Sequence, residues 1–305
     1  MEKTSWACTV ITQVCLCCAL YISLNLGHPQ TSLNINASSD LYFISVKGGF
    51  RPLTQQFHLL KQLLGLILIL LSIFLLLSLM LMKMEKVASA YKASFVVSSS
   101  ELGEYDPLMQ NATEHFPSLR LPWYTTYTTT SSKPKGQEVG CFVKKIKTSN
   151  GITLDVISVD TELLQDSVLR GSLSVHRNNQ LNWLIKTLAA NSSNWRIVVG
   201  YRPLVVCGEN KEQLKKTQNV YLSGQDCSSH AIDASVAYIG NPDPIAKEPY
   251  SIFLNGNSVY KRELANGFLL HRVSSLKIVT YYINFAGEVA FTTVLQQKGR
   301  EIILH

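Results

Sequence analysis

Two short apolar runs, each followed by polar loop residues, most constrain the fold of this chain. The first is Ile197-Val198-Val199, which ends at Gly200, and the second is Val220-Tyr221-Leu222, which ends at Ser223-Gly224. Uninterrupted runs of this kind are typical of central strands in a parallel sheet that is covered on both faces. Ligands of open α/β sheets bind at the carboxyl ends of the strands, so we expect function in the loops that follow.

These two stretches carry a family resemblance. Val198 to Pro203 resembles the V-V-G-H-x-P motif of the metallophosphoesterase (calcineurin-like) superfamily, in particular its purple acid phosphatase branch. Tyr221 to Cys227 resembles the Y-L-x-G-H-x-H motif of the same family. In that family the histidines bind a two-metal centre. Here Tyr201, Gln225 and Cys227 stand at the histidine positions, so the scaffold of each motif is present without its metal-binding side chains.

Three further stretches resemble the other metal motifs of the family. In the strand 41–46 and just after it, Val46 or Lys47 stands in the region of the aspartate of the family's G-D-W-G, and the strand 95–98 leads to Glu101 at the bridging aspartate of S-x-G-D-N-x-Y. After Leu121-Pro122-Trp123-Tyr124, Thr129 and Thr130 stand where the family has the asparagine and histidine of G-N-H-[DE]. The resemblance therefore implies degenerate ligand positions at Lys47, Glu101, Thr129, Tyr201, Gln225 and Cys227.

The resemblance spans about 41–298 and implies a four-layer α/β/β/α sandwich. With its ligands substituted, it implies a catalytically inactive protein with a binding or interaction role and no metal cofactor. One alternative is an active metal-dependent acid phosphatase with an Fe, Zn or Mn pair at an altered site around Glu101, Asp226 and His230. A two-metal hydrolase needs several converging ligands plus an acid or base, and the single pair Asp226 and His230 does not supply them. The other alternative is a non-functional isoform.

The amino-terminal residues predict membrane attachment. Residues 6–26 are largely apolar, and about 20 such residues suit a transmembrane signal anchor, with a cleaved signal peptide as the alternative. Residues 27–40 are a polar linker. Glycosylation sequons begin at Asn36, Asn111 and Asn191, which together with the anchor favours the secretory pathway and a lumenal or extracellular domain.

A second apolar segment interrupts the predicted domain. Residues 63–82 are long enough to span a membrane and are a second candidate membrane segment. A span here would place strand 41–46 on the opposite side of the membrane from the other strands. Deleting 63–83 joins two pieces into one amphipathic helix, with apolar residues at helical spacing (Phe57, Leu60, Met84, Val87 and Tyr91). We therefore expect 63–83 to be an insertion into the helix of a β-α-β unit.

Other elements follow from periodicity. The sequence predicts paired strands at 141–146 and 153–159, and a helix from Asn178 to about Ala190. The segment after Pro203 has too few large apolar residues for the covering helix of a parallel crossover. An antiparallel series is predicted for the remaining strands, which are 235–240, 250–254, 267–273, 277–284 and 288–295. Residues 299–305 are expected to form a tail.

Charge and reactive residues exclude several functions. The net charge of +7 is scattered over the sequence, which argues against nucleic-acid binding. Four of the seven cysteines lie within the first 26 residues, and no C-x-x-C spacing suggests a zinc site. A G-x-S-x-G motif and a P-loop are both absent from the sequence. The sequence does not identify a protein or phosphate-containing partner.

Overall fold

The computed structural model describes residues 40–48, 63–126, 141–148, 151–165, 172–190, 193–202, 220–223, 237–242, 251–254, 257–261, 267–296 and 302–304. The chain forms two compact units, 1–38 and 39–305, and every described residue belongs to the second. The predicted signal segment 1–26 lies outside the described residues.

The strands and helices are as follows. The strands are β1 (Leu41–Lys47), β2 (Val96–Ser99), β3 (Trp123–Thr125), β4 (Phe142–Lys147), β5 (Thr153–Ser158), β6 (Trp195–Gly200), β7 (Val220–Ser223), β8 (Ala237–Gly240), β9 (Ser251–Leu254), β10 (Asn257–Lys261), β11 (Gly267–Val273), β12 (Lys277–Asn284), β13 (Val289–Gln296) and β14 (Ile302–Leu304). The α-helices are α1 (Leu63–Tyr91), α2 (Pro107–His115), α3 (Thr161–Gln165) and α4 (Ser172–Ala189), and short 3₁₀ helices span Gly103–Tyr105 and Pro117–Leu119.

These strands form two main sheets and one hairpin. One sheet has the order β14-β13-β12-β11-β1-β2-β3 and the other β4-β5-β6-β7-β8, while β9 and β10 pair separately. The first sheet joins an antiparallel meander, β11 to β14, to the parallel strands β1, β2 and β3. In the second sheet β5 to β8 are parallel, which confirms the parallel core predicted from the two apolar runs.

One strand direction predicted from sequence was wrong. Residues 235–240 were expected in the antiparallel series, but β8 lies parallel to β7 in the second sheet. A short apolar run does not distinguish the two directions, because side chains alternate in the same way in both. The predicted meander of 267–273, 277–284 and 288–295 is confirmed. Strand β14 lies within the segment 299–305 that was expected to be a tail.

The core between the two sheets is built by alternation within each strand. Phe43 and Val97 of the first sheet, with Phe95 just before β2, pack against Val156, Ile197 and Leu222 of the second, and all six are buried. Their neighbours in sequence face outward to helices. Ile44 and Val96 pack beside α1 and α2, whereas Val198 and Tyr221 pack beside α4. The contacts therefore define helix, sheet, sheet and helix layers.

Helix α1 joins β1 to β2 and has 29 residues. Its backbone is described from Leu63 and its side chains from Leu75. Met80, Leu81 and Met84 are buried against the first sheet, so the end of the apolar segment packs in the core. Val87 and Tyr91 are partly buried in the same cluster, as predicted. Among the described residues, no helix combines the length and apolar character needed to cross a membrane.

Helix α4 begins earlier than the sequence predicts. The predicted start was Asn178, but the helix runs from Ser172, and Asn178 and Asn179 are exposed on its surface. Asparagine disfavours a helix interior by only a fraction of a kcal/mol, so packing of the rest of the helix outweighs it. Leu184 and Leu188 are buried against the second sheet, and Leu181 is partly buried there.

Candidate functional site

The candidate site is the edge of the two sheets where the parallel strands end. It comprises the carboxyl ends of β1, β2 and β3 in one sheet and of β5 to β8 in the other, and is called the carboxyl edge below. Asn241 directly follows β8 and contacts Ser45 of β1, so the two sheets meet here. The space between the sheets is apolar near Leu41 and Trp195, where β1 and β6 begin, and becomes polar toward this edge.

A buried hydrogen-bond network occupies the polar end of this space. Ser45 Oγ donates to Asn241 Oδ1 at 2.6 Å, and Asn241 Nδ2 donates to Ser99 Oγ at 3.0 Å. Ser45 Oγ also lies 2.7 Å from His271 Nε2, and His271 Nδ1 lies 2.9 Å from Thr280 Oγ1. All five residues are buried. Burial of polar groups is costly unless they are paired, and here they pair with one another.

The protonation of His271 follows from these contacts. Because Ser45 gives its proton to Asn241, Nε2 must donate to Ser45, and Nδ1 must then accept from Thr280. Burial lowers the pKa of His271 to about 3, so the ring is neutral at neutral pH. Phe43 stacks on the imidazole with ring centroids 4.4 Å apart.

The Ser45–His271 contact has the distance of a nucleophile and its base but not their chemistry. A catalytic serine donates its proton to the base and is reached by substrate. Ser45 instead donates to Asn241, and its exposed fraction is 0%. His271 contacts a threonine where a catalytic histidine is usually oriented by a carboxylate. The pair is therefore part of the packing between the sheets.

Two buried aspartates at the carboxyl edge cap helices. Asp106 Oδ1 accepts from the amide of Leu108 at 2.9 Å, at the start of α2. Asp160 Oδ1 accepts from the amide of Leu163 at 3.2 Å, at the start of α3. A carboxylate at a helix amino terminus satisfies an amide that has no partner within the helix, and it is stabilised there by the helix dipole. These aspartates are thus used structurally.

Gly48, immediately after β1, lies against Asp106. A Cβ placed on Gly48 would come within 1.8 Å of Asp106 Oδ2, so only glycine fits. The Gly48 amide donates to the carbonyl oxygen of Ser99 at 3.0 Å, which continues the pairing of β1 and β2 to the edge. Asp106 was not singled out in the sequence analysis, because it follows the family-like stretch by one residue.

The loop after β6, which carries Tyr201 at a family histidine position, is held by its backbone. The amide of Arg202 donates to Thr161 Oγ1 at 2.8 Å, and its carbonyl oxygen accepts from the hydroxyl of Tyr221. A Cβ on Gly200 would lie 2.2 Å from Tyr221 Oη and 2.4 Å from Thr161 Cγ2. Arg202 is therefore held against α3 through its amide and against β7 through its carbonyl oxygen.

The degenerate ligand positions are only partly described. Lys47 ends β1 opposite Ser99, Glu101 follows β2, and Tyr201 follows β6; all three are partly buried. Val46, the other candidate for the family aspartate, faces the helices and is fully buried. The remaining predicted positions lie outside the described residues, and they are Thr129, Gln225 and Cys227, together with Asp226 and His230 of the altered-site alternative.

Within the described part of the chain, no three His, Cys, Asp or Glu side chains come close enough to hold a metal ion. The residues that organise the edge instead are Asn241, His271, Ser45 and Ser99, and sequence analysis did not find them. Ser45 is separated from Asn241 by 196 positions and from His271 by 226. The sequence feature that could have identified His271 is the alternation of strand 267–273, which places His271 on the inward face with Leu269 and Val273.

Comparison with solved structures finds a similar fold. The chain matches GAP50, described as the anchor in the inner membrane complex of Plasmodium, with a TM-score of 0.56 and 17% identity over 83% of this chain and 87% of that one. At this identity the likeness concerns the fold alone. No protein-family model matches the sequence, and no curated protein matches it.

Two other structures match with lower TM-scores. PhoD matches with a TM-score of 0.43 and 11% identity over 87% of this chain and 71% of that one. A predicted phosphoesterase from Streptococcus pneumoniae matches with a TM-score of 0.36 and 8% identity over 84% of this chain and 98% of that one. Scores this low carry no argument by themselves. The mixed α/β fold with two sheets is consistent with a phosphoesterase-like fold.

Proposed function

We propose that the chain is a metallophosphoesterase-like protein that does not hydrolyse phosphoesters and acts as a membrane-attached binding or anchoring protein. The observation that supports this most is the pairing of polar groups at the carboxyl edge. Asn241 pairs with Ser45 and Ser99, and the edge carboxylates Asp106 and Asp160 cap helices. A two-metal hydrolase needs several converging ligands at such an edge.

A phosphatase assay tests the inactive assignment. The full chain, purified in detergent, is incubated with p-nitrophenyl phosphate from acid to neutral pH, with and without added iron, zinc or manganese. We expect no turnover above that of the heat-denatured chain. Turnover that depends on metal would reject the proposal, and its loss in Glu101→Gln would favour the altered-site alternative.

In this proposal, the amino-terminal segment attaches the chain to the membrane. Residues 6–26 anchor the chain, and the sandwich faces the lumen or the cell exterior. GAP50 is described as the anchor in the inner membrane complex of Plasmodium, which makes an anchoring role worth testing in a chain of similar fold. Carbonate extraction of cell membranes is the test: the full chain should stay in the pellet, and a chain lacking residues 1–26 should not. Recovery of the full chain in the supernatant would reject attachment.

Glycosylation tests the side of the membrane. Glycan removal should increase the gel mobility of the full chain if its sequons reach the lumen. Asn36→Gln, Asn111→Gln and Asn191→Gln, made singly, identify the modified position. Asn111 lies within α2 and is partly buried, so we expect it to be the least modified. An unchanged mobility in all variants would argue for a cytoplasmic domain.

A further inference from the structure

Asn241 connects the two sheets at the carboxyl edge through a single side chain. It follows β8 of one sheet, whereas its partners Ser45 and Ser99 belong to β1 and β2 of the other. The exposed fraction of Asn241 is 0%, and both hydroxyl partners are equally buried. An exchange of these bonds for bonds to water therefore requires the sheets to move apart here.

The chemistry of this position requires both ends of an amide. Ser45 donates to the amide oxygen at 2.6 Å, and the amide nitrogen donates to Ser99 at 3.0 Å. A leucine of similar volume offers neither group and would leave two buried hydroxyls with one partner fewer. Unpaired buried hydroxyls favour any conformation in which water can reach them.

The opposite end of the sandwich has its own connection. Trp195, at the start of β6, is buried and donates its indole N–H to the carbonyl oxygen of Ser274 at 2.7 Å. Ser274 lies between β11 and β12 of the other sheet. Between these two ends the facing surfaces are apolar. The contact at Trp195 does not depend on Asn241, so one end of the sandwich can part while the other stays joined.

We propose that Asn241 is a latch: its amide holds the carboxyl edges of the two sheets together, and its release opens this edge while the rest of the sandwich stays packed. The release exposes Ser45 and Ser99 to solvent and frees the strand ends that carry the candidate site. The latch rests on the contacts of the described residues and holds whether or not the chain hydrolyses phosphoesters.

Amide hydrogen exchange on the full chain in detergent tests the latch, with Asn241→Leu compared with the wild type. Two reporters lie at the carboxyl edge: the amide of Gly48, bonded to the Ser99 carbonyl at 3.0 Å, and that of Ser100, bonded to Thr126 Oγ1 at 2.8 Å. Their exchange should accelerate about tenfold. The amide of Ser274, bonded to the Lys277 carbonyl, reports on the far end and should not change.

Ser98→Ala is the matched control. Ser98 is a buried serine beside Ser99, and its hydroxyl has no hydrogen-bond partner among the described residues, so its removal should leave all three exchange rates unchanged. If Asn241→Leu does not fold, Ser99→Ala must give the same pattern with a smaller acceleration. Equal acceleration of all three amides, or no acceleration in either latch variant, would overturn the proposal.

Discussion

Gly200 ends β6 without a side chain, and the space that a side chain would need is filled. The nearest atoms to a Cβ there belong to Tyr221 and Thr161, at 2.2 and 2.4 Å. We expect Gly200→Ala to lower the free energy of unfolding by about 1–3 kcal/mol, the usual cost of overpacking. Urea denaturation measures this cost. In a background of Thr161→Ser and Tyr221→Phe the alanine should cost less, and an equal cost in both backgrounds would contradict the packing argument.

His271 makes stability depend on pH in a defined direction. The folded pKa of about 3 is below the ordinary value of 6.5, so the unfolded chain binds a proton more readily between these values. The stability that His271 contributes is complete above pH 6.5 and is lost as the pH falls toward 3, with a slope of at most about 1.4 kcal/mol per pH unit.

Thermal melts of the full chain across this pH range measure the slope. His271→Gln should flatten it, whatever its effect on stability at neutral pH, because glutamine does not titrate. His115→Gln is the control, since His115 has a side chain that is 61% exposed. An unchanged slope in His271→Gln would show that other groups set the acid sensitivity.

Helix α1 is the element whose sequence allows two registers against the sheet. Met80 and Leu81 are buried three and four positions before Met84. If residues 63–83 are removed, Leu59 and Leu60 occupy those two positions. The shortened helix therefore keeps an apolar face, as expected for an insertion into an existing helix.

Two deletions that differ by one residue test this register. The chain without 63–83 should melt cooperatively, with its sheet-facing positions still apolar. The chain without 63–82 places Lys61 at the position of Leu81, which is 2% exposed, and should lose about 4 kcal/mol or more. Thermal melts followed by near-ultraviolet circular dichroism compare the stabilities of the two deletion variants. Equal stability of the two chains would contradict the register.

Elements differ in how far the sequence predicts them. β6 and β7 were predictable because their runs are buried on both faces, and a short apolar run followed by glycine is typical of such strands. The direction of β8 was not, because alternation is the same in parallel and antiparallel strands. The latch residue Asn241 was not predictable either, since its partners are distant in sequence and a lone asparagine after a strand is typical of any turn.

At the scale of the whole molecule, the fold and the function are argued from different features of the structure. The two sheets, their strand order and the likeness to GAP50 concern the scaffold. The same scaffold can serve unrelated functions, so the role must be argued from the carboxyl edge. There Asn241 bonds to Ser45 and Ser99, and Asp106 and Asp160 bond to helix amides, and this use of the edge groups is the central claim of the proposed function.

Elemental analysis of the full chain, purified without chelators and again after incubation with iron, zinc and manganese, tests that claim most directly. The account predicts that no metal is retained in stoichiometric amount after desalting, and that the melting temperature is unchanged by a chelator. A metal pair bound to each chain, lost together with thermal stability on chelation, would contradict it.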